Sequence, residues 1–170
     1  MNILVTGGSK CGKSSFAEKL ALRLASDRFV LYIATMKSVD EEDMSIVRRH
    51  RVWRREKPFL VFEQEKNLER LVLPENRVIL LEDLPNLIAN EMFDGGCADL
   101  IVRQLKHVSL QTDNLILVTN EIDADGRTYS DEVRHYMEKT GEINRKCAAW
   151  CDIVVECISG CPFILKGAFL

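Results

Sequence analysis

The chain has 170 residues, 46% of them hydrophobic and 29% charged, which fits one soluble globular domain spanning residues 1–170. Its formal net charge of −3 argues against bulk nucleic-acid binding, because proteins that bind duplexes usually carry a basic surplus. The chain lacks an apolar run of about eighteen residues and the layout of a signal peptide, so we expect no membrane span and a cytoplasmic location.

Apolar runs alternate along the chain with amphipathic stretches, a pattern typical of strands separated by helices. The runs lack polar alternation, which predicts a mainly parallel sheet covered on both faces. Little more than Gly160 and Cys161 separates the last two strands, too short for a parallel crossover, so the C-terminal strand should be antiparallel. In chain order, the predicted elements are a strand at 2–6, a helix carrying Phe16, Leu20 and Leu24 on one face, a strand at 29–35, a charged helix from about Val39 to Lys57, strands within 58–64, 77–82 and 114–120, a helix ending near Trp150, and strands within 152–159 and 162–169.

The segment GGSKCGKS, Gly7 to Ser14, fits the phosphate-loop pattern G-x-x-x-x-G-K-[ST] and lies between a predicted strand and a predicted helix. Its glycines let backbone N–H groups turn toward phosphate oxygens, and the helix N-terminus adds its dipole. Lys13 is expected to reach the β- and γ-phosphates, and the Ser14 hydroxyl to bind Mg²⁺. The motif predicts a nucleoside triphosphate site in an α/β three-layer sandwich of the P-loop NTPase type.

An acidic partner for the metal is expected at the end of a buried strand, where VILLED offers Glu82 and Asp83. Glu82 is favoured because it directly continues the apolar run, and its carboxylate could hold Mg²⁺ through water or meet the nucleotide. Asp83 is predicted to cap the helix that follows.

The six cysteines are expected to be reduced thiols. Cys147, Cys151, Cys157 and Cys161 have spacings that zinc sites use. Cys147 nevertheless falls on a helical apolar stripe and Cys157 in an apolar strand, which favours buried thiols over a metal site.

The segment VRRHRVWRR, residues 47–55, sets His50 among five arginines. Asp40 to Asp43 stand at the start of the predicted helix and the arginines later, which complements the helix dipole and is a sufficient structural reason for the charges. Neutral histidine is also a competent nucleophile at phosphorus, and nearby cations favour its neutral form. The residues alone leave both interpretations open.

Seven motifs follow one another in a fixed order: ILVTGGSKCGKS, LYIAT, DEEDMSIVRRHRVWR, VILLE with Asn90 eight residues later, LVTNE, GEINRKCA and ISGCPFILK. In this order the chain resembles, over essentially its whole length, the bifunctional adenosylcobinamide kinase/adenosylcobinamide-phosphate guanylyltransferases of cobalamin biosynthesis. The resemblance implies that one P-loop domain first phosphorylates the aminopropanol hydroxyl of adenosylcobinamide with ATP or GTP. It further implies that GMP passes from GTP to a histidine, with release of pyrophosphate, and then to the new phosphate.

The resemblance also implies roles for individual residues. His50 matches the guanylylated histidine, because Arg54 follows it by four residues as in the family, and a homo-oligomer, a trimer, is implied as well. Phe59, Asp83 and Leu87 depart from the family's usual residues at positions where corrinoid contacts or subunit packing are expected. The implied catalytic residues are His50 and Lys13, the metal ligands are Ser14 and Glu82, and the nucleotide contacts are Gly7, Gly8, Ser9, Lys10, Cys11, Gly12, Lys13, Ser14, Ala34, Thr35, Met36, Arg51, Val52, Trp53, Arg54, Glu63 and Glu82.

Two other functions remain compatible with the residues. A P-loop small-molecule kinase without guanylyl transfer would share the phosphate loop but form no covalent adduct with the nucleotide. A non-catalytic GTP-binding regulatory module would share it too, although VTNE only loosely resembles a base-reading sequence and lacks the N-K-x-D pattern.

Overall fold

The structure is a computed structural model that describes residues 1–37, 58–122 and 128–169. The charged helix expected from Val39 to Lys57 therefore lies outside the described residues. Over the described ranges, the strands are β1 Asn2–Thr6, β2 Val30–Ala34, β3 Phe59–Glu63, β4 Val78–Glu82, β5 Asn114–Val118, β6 Ile153–Ile158 and β7 Cys161–Lys166, and the helices are α1 Lys13–Ala25, α2 Leu84–Phe93, α3 Ile101–Ser109 and α4 Asp131–Trp150.

All seven described strands join one sheet in the order β3-β2-β4-β5-β1-β6-β7. Neighbouring strands from β3 through β6 pair in parallel, and β7 pairs antiparallel with β6. Both the mainly parallel sheet and the antiparallel C-terminal strand are thus confirmed. The connection is Ser159–Gly160, both with positive φ, so Cys161 already belongs to β7.

The sheet is covered on both faces, as its apolar strands predict. Alternate residues of β4 enter two separate cores, Ile79 and Leu81 on one face and Val78 and Leu80 on the other. The second core is closed by α1, whose buried alanines, including Ala17 and Ala21, let the helix approach the strands closely. The first core is closed by α2, α3 and α4, which completes a three-layer sandwich.

The apolar stripe predicted along the last helix is confirmed in its second half. Ile143 and Cys147 are buried in the core, and burial raises the pKa of the Cys147 thiol to about 12. Cys157 is buried within β6, where burial also raises its pKa. Both thiols therefore act as small apolar core side chains. In the part of the chain that the structure describes, none of the helices is long and apolar enough to cross a membrane.

Candidate nucleotide-binding site

The phosphate loop connects the end of β1 at Thr6 to the start of α1 at Lys13. Gly12 stands at the N-cap in the left-handed region, with φ of 94° and no side-chain cap for the first turn of the helix. Gly7 has φ of 141°, and a Cβ built there would lie 2.4 Å from the Cys157 carbonyl oxygen. The glycines of the motif are thus required by the backbone, and the first N–H groups of α1 are left for an anion.

The side chain of Lys13 folds back over this loop. It is only 7% exposed, and its Nζ donates to the Gly8 carbonyl oxygen at 3.1 Å. Burial raises the pKa of the Asp83 carboxyl, and the charge of Lys13 offsets part of that rise. A lysine that is held against the loop and whose charge acts on Asp83 suits the binding of phosphate oxygens.

Two carboxylates stand at the end of β4. Glu82 Oε2 accepts a hydrogen bond from the Tyr32 hydroxyl at 2.7 Å, across from the neighbouring strand β2. Asp83 is the N-cap of α2, and its Oδ1 accepts from the Asn86 backbone N–H at 2.9 Å, so the predicted cap is confirmed. Burial raises the pKa of Asp83 to about 6, and the charge of Glu82 adds to the rise.

The sheet order explains why the phosphate loop and the acidic pair meet. β1 and β4 are parallel and separated only by β5, so their carboxyl ends lie on the same edge. The segment after β5 fills the space between them, where the Glu121 N–H donates to the Gly7 carbonyl oxygen at 3.3 Å. Asn144 on α4 contacts this segment. Its amide fixes this segment by accepting from the buried Thr119 hydroxyl at 2.7 Å and donating to the Asn120 carbonyl oxygen at 3.1 Å.

The residues after β2 are tied to the same edge. The Thr35 N–H donates to the Glu82 carbonyl oxygen at 3.2 Å, and its hydroxyl donates to the Asp83 carbonyl oxygen at 2.6 Å. Ala34 accepts from the Gln64 N–H at 2.9 Å, which links the ends of β2 and β3. Glu63 is the last residue of β3, at one border of the sheet.

The structure thus brings most of the predicted site to one edge of the sheet. The residues on that edge are Gly7, Gly8, Ser9, Lys10, Cys11, Gly12, Lys13 and Ser14 around β1, Ala34, Thr35 and Met36 after β2, Glu63 on β3 and Glu82 on β4. His50 and the following Arg51, Val52, Trp53 and Arg54 lie outside the described residues.

The donors at this edge fit a magnesium ion. Ser14 offers a hydroxyl in the first turn of α1, and Glu82 offers a carboxylate at the end of β4. Mg²⁺ is a hard cation that is usually bound through one or two protein oxygens together with waters and phosphate oxygens. Within the described ranges, no group of three or more His, Cys, Asp or Glu side chains is arranged to hold a metal ion.

Phe59 and Leu87, at which the sequence departs from the family that it resembles, pack within this chain. Leu87 is fully buried in the core beneath α2, and the Phe59 ring packs edge-to-face against Tyr32 with centroids 6.0 Å apart. The expectation that Leu87 contacts a corrinoid or another subunit is therefore wrong, because its side chain is enclosed by its own fold.

Comparisons with known proteins agree with one another over nearly the whole chain. A family profile described as "Cobinamide kinase / cobinamide phosphate guanyltransferase" matches residues 3–165. The chain is 31% identical to the bifunctional adenosylcobalamin biosynthesis protein CobU of Escherichia coli K12, covering 98% of this chain and 100% of that protein. It is 28% identical to the bifunctional adenosylcobalamin biosynthesis protein CobP of Pseudomonas aeruginosa, covering 98% of each.

Among solved structures, the flagellar accessory protein FlaH of Methanocaldococcus jannaschii superposes with a TM-score of 0.54. The superposition covers 99% of this chain and 81% of FlaH, at 16% sequence identity. At that identity the likeness concerns the fold alone.

Proposed function

This chain belongs to the cobinamide kinase / cobinamide phosphate guanyltransferase family. We propose that the kinase reaction and the guanylyltransferase reaction both take place at the edge of the sheet that carries Lys13 and Glu82. Membership makes the chain an enzyme of cobalamin biosynthesis with kinase and guanylyltransferase activity. The observation that supports the site is the buried Lys13 side chain, whose Nζ donates to the Gly8 carbonyl oxygen and whose charge acts on Asp83. We further propose a cytoplasmic location.

In the kinase reaction, the segment Gly7–Ser14 binds the triphosphate of ATP or GTP, and Lys13 contacts the β- and γ-phosphates. Ser14 and Glu82 would hold Mg²⁺, which would supply positive charge to offset the charge of the phosphates. The hydroxyl oxygen of adenosylcobinamide's aminopropanol arm attacks the γ-phosphorus and its proton is released to water, while the bond to the bridging oxygen breaks and the nucleoside diphosphate leaves. Ala34, Thr35, Met36 and Glu63 complete the nucleotide contacts.

In the transferase reaction, His50 attacks the α-phosphorus of GTP, and pyrophosphate leaves as the bond to its bridging oxygen breaks. The phosphate of adenosylcobinamide phosphate then attacks the same phosphorus, which frees His50 and gives adenosylcobinamide-GDP. Arg51, Val52, Trp53 and Arg54 bind the nucleotide. This assignment is supported by the arginine-rich sequence around His50 and by the family membership.

We also propose that the protein is a homo-oligomer, a trimer, assembled through the hairpin of β6 and β7. β7 borders the sheet, and its Phe163, Ile164 and Leu165 are about half exposed or more. An apolar edge strand of this kind is typical of a surface that pairs with another protein, here a second copy of this chain.

Incubation with GTP labelled at the α-phosphate tests the transferase assignment. We expect wild-type protein to take up label that is labile to acid and stable to alkali, as a phosphorus–nitrogen bond is. His50→Ala should lose the label, whereas the control His107→Ala should keep it, because His107 is exposed on α3. An unlabelled wild type that still phosphorylates adenosylcobinamide would indicate a kinase alone, and equal labelling of His50→Ala would exclude His50.

A further inference from the structure

The side-chain amide of Asn90, on the last turns of α2, joins two separate loops. Its Nδ2 donates to the Thr35 carbonyl oxygen at 2.9 Å and to the Glu65 carbonyl oxygen at 3.0 Å. Both neighbours are hydrogen-bond acceptors, so the amide nitrogen rather than its oxygen must face them, and both of its N–H groups are used. One side chain therefore fixes the distance between the backbone after β2 and the backbone after β3.

These two loops carry or adjoin four of the proposed nucleotide contacts. Ala34 pairs with Glu63 at the carboxyl ends of β2 and β3, and Thr35–Met36 follow β2 directly. Among the described strands, β3 pairs with β2 alone. Side chains of α2 bind the loop that follows β3, through the Glu65 carbonyl oxygen and the Asn67 N–H.

Glu91 on α2 and Asp94 just after it also bind these two loops. The Lys37 ammonium pairs with the Asp94 carboxylate just after the helix at 2.7 Å, and Lys66 donates to the Asp94 carbonyl oxygen. The buried Glu91 carboxylate accepts from the Asn67 N–H at 2.7 Å. Asn90 is distinct within this set because it contacts both loops through their backbones, beside the proposed contact Thr35.

We propose that Asn90 is a positioning residue that holds the loops after β2 and β3 in the geometry that binds the guanine nucleotide. The inference rests on the proposed function, since it takes Ala34, Thr35, Met36 and Glu63 as nucleotide contacts. Asn90 acts through the backbone of these loops. Its hydrogen bonds go to the loops after β2 and β3, whereas Lys13 belongs to the phosphate loop. Substitution of Asn90 should therefore change the affinity for GTP rather than the labelling rate at saturating GTP.

The chain provides a matched control in Asn76. Its Nδ2 also donates to two loop carbonyl oxygens, those of Pro74 at 2.9 Å and Gln111 at 3.1 Å. Asn76 precedes β4, however, so it lies at the amino edge of the sheet, opposite the proposed site. Substitution of either asparagine removes two hydrogen bonds from a side-chain amide to loop carbonyl oxygens. Of the two asparagines, Asn90 borders the proposed nucleotide contacts and Asn76 does not.

The test compares Asn90→Ala, Asn90→Asp, Asn76→Ala and Asn76→Asp with wild type in the full-length protein. GTP affinity is measured by calorimetry, the GTP dependence of labelling from α-labelled GTP is followed, and thermal unfolding is recorded for each variant. We expect Asn90→Ala to weaken GTP binding about tenfold, the equivalent of one lost net hydrogen bond, with the labelling rate at saturation little changed. Asn90→Asp should weaken binding further, because a carboxylate then faces two carbonyl oxygens.

The Asn76 variants should lower the unfolding midpoint at least as much as the Asn90 variants while leaving GTP affinity within about twofold of wild type. Equal losses of affinity at the two positions, or wild-type affinity in Asn90→Ala, would overturn the inference. Wild-type protein that binds GTP but takes up no label would overturn the transferase assignment instead, and the calorimetric comparison would still decide the role of Asn90.

Discussion

Asp83 combines a structural role as a helix cap with a buried, unfavourable charge. It caps α2 by accepting from the Asn86 N–H, and it is adjacent to Glu82 in the chain. The charge of Lys13 partly offsets the rise in its pKa. Burial and the Glu82 charge raise its pKa from 3.8 to about 6, so its ionised form is less stable in the folded protein than in the unfolded chain. The carboxylate oxygen nevertheless accepts the cap hydrogen bond from the Asn86 N–H.

We predict that Asp83→Asn stabilises the protein near neutral pH. The raised pKa means that the folded state loses stability as pH rises from about 4 to 6, and the full cost is present above that range. Asparagine keeps the cap oxygen and removes the ionisation. The free energy of unfolding should therefore rise by about 1–3 kcal/mol at pH 7.5 and change little at pH 4.

Urea denaturation at the two pH values, without nucleotide or divalent cation, measures this difference. The same gain at both pH values would contradict the prediction, because a cost of ionisation disappears once the carboxyl is protonated.

Contacts between residues close in sequence were predictable, and contacts between distant residues were not. The role of Asp83 as a cap was predictable, since an N-cap interaction spans only three residues. The bond between Tyr32 and Glu82 joins positions 50 residues apart, and Asn90 reaches Thr35 across 55. Partners this distant depend on which strands become neighbours, and no local pattern encodes that.

The phosphate loop is the element whose conformation follows most directly from its sequence. The motif predicted a turn from β1 into α1, and Gly7 and Gly12 adopt positive φ there as the turn requires. Sequence could not reveal that the loop also packs against the β6–β7 hairpin. The Gly160 N–H donates to the Cys11 carbonyl oxygen at 2.8 Å, and the Cys157 carbonyl oxygen occupies the space beside Gly7.

We predict that Gly7→Ala disrupts this element while Gly8→Ala does not. A Cβ at Gly7 would lie 2.4 Å from the Cys157 carbonyl oxygen, whereas a Cβ at Gly8 would meet no atom within 4 Å. Gly7→Ala should lower the free energy of unfolding by about 1–3 kcal/mol or more, because the backbone must shift or hold a strained φ. Gly8→Ala should remain within about 0.5 kcal/mol of wild type.

Urea denaturation of the two variants at one pH measures both values. Equal stabilities for Gly7→Ala and Gly8→Ala would show that the loop adapts freely, which would contradict the close packing against β6.

At the scale of the whole molecule, the apolar strands and the short final connection were sufficient to predict a mainly parallel sheet with an antiparallel end. The order β3-β2-β4-β5-β1-β6-β7 was not predictable, because every inner strand is apolar on both faces and could pair with any other. That order brings β5 between the phosphate loop and Glu82, and it leaves β7 at the border with its apolar side chains exposed.

We predict that Leu165→Glu weakens self-association while Leu110→Glu does not. Leu165 is 61% exposed on β7, and Leu110 is 85% exposed after α3, so neither substitution should unfold the monomer. A charge on the edge strand discourages pairing with a second copy. Sedimentation velocity should show a trimer for wild type and Leu110→Glu and smaller species for Leu165→Glu. A wild-type monomer, or an intact trimer in Leu165→Glu, would contradict assembly through the hairpin.

We propose that one domain adds both a phosphoryl group and GMP to the same acceptor. The most direct measurement supplies adenosylcobinamide together with ATP labelled at the γ-phosphate and GTP carrying a distinguishable α-label, and then isolates the corrinoid product. We expect wild type to give a product that carries both labels, with the γ-label not exceeding the α-label because GTP can also donate the phosphoryl group, and we expect no labelled product from Lys13→Met. A product with the γ-label alone, or an unlabelled corrinoid from wild type, would contradict it.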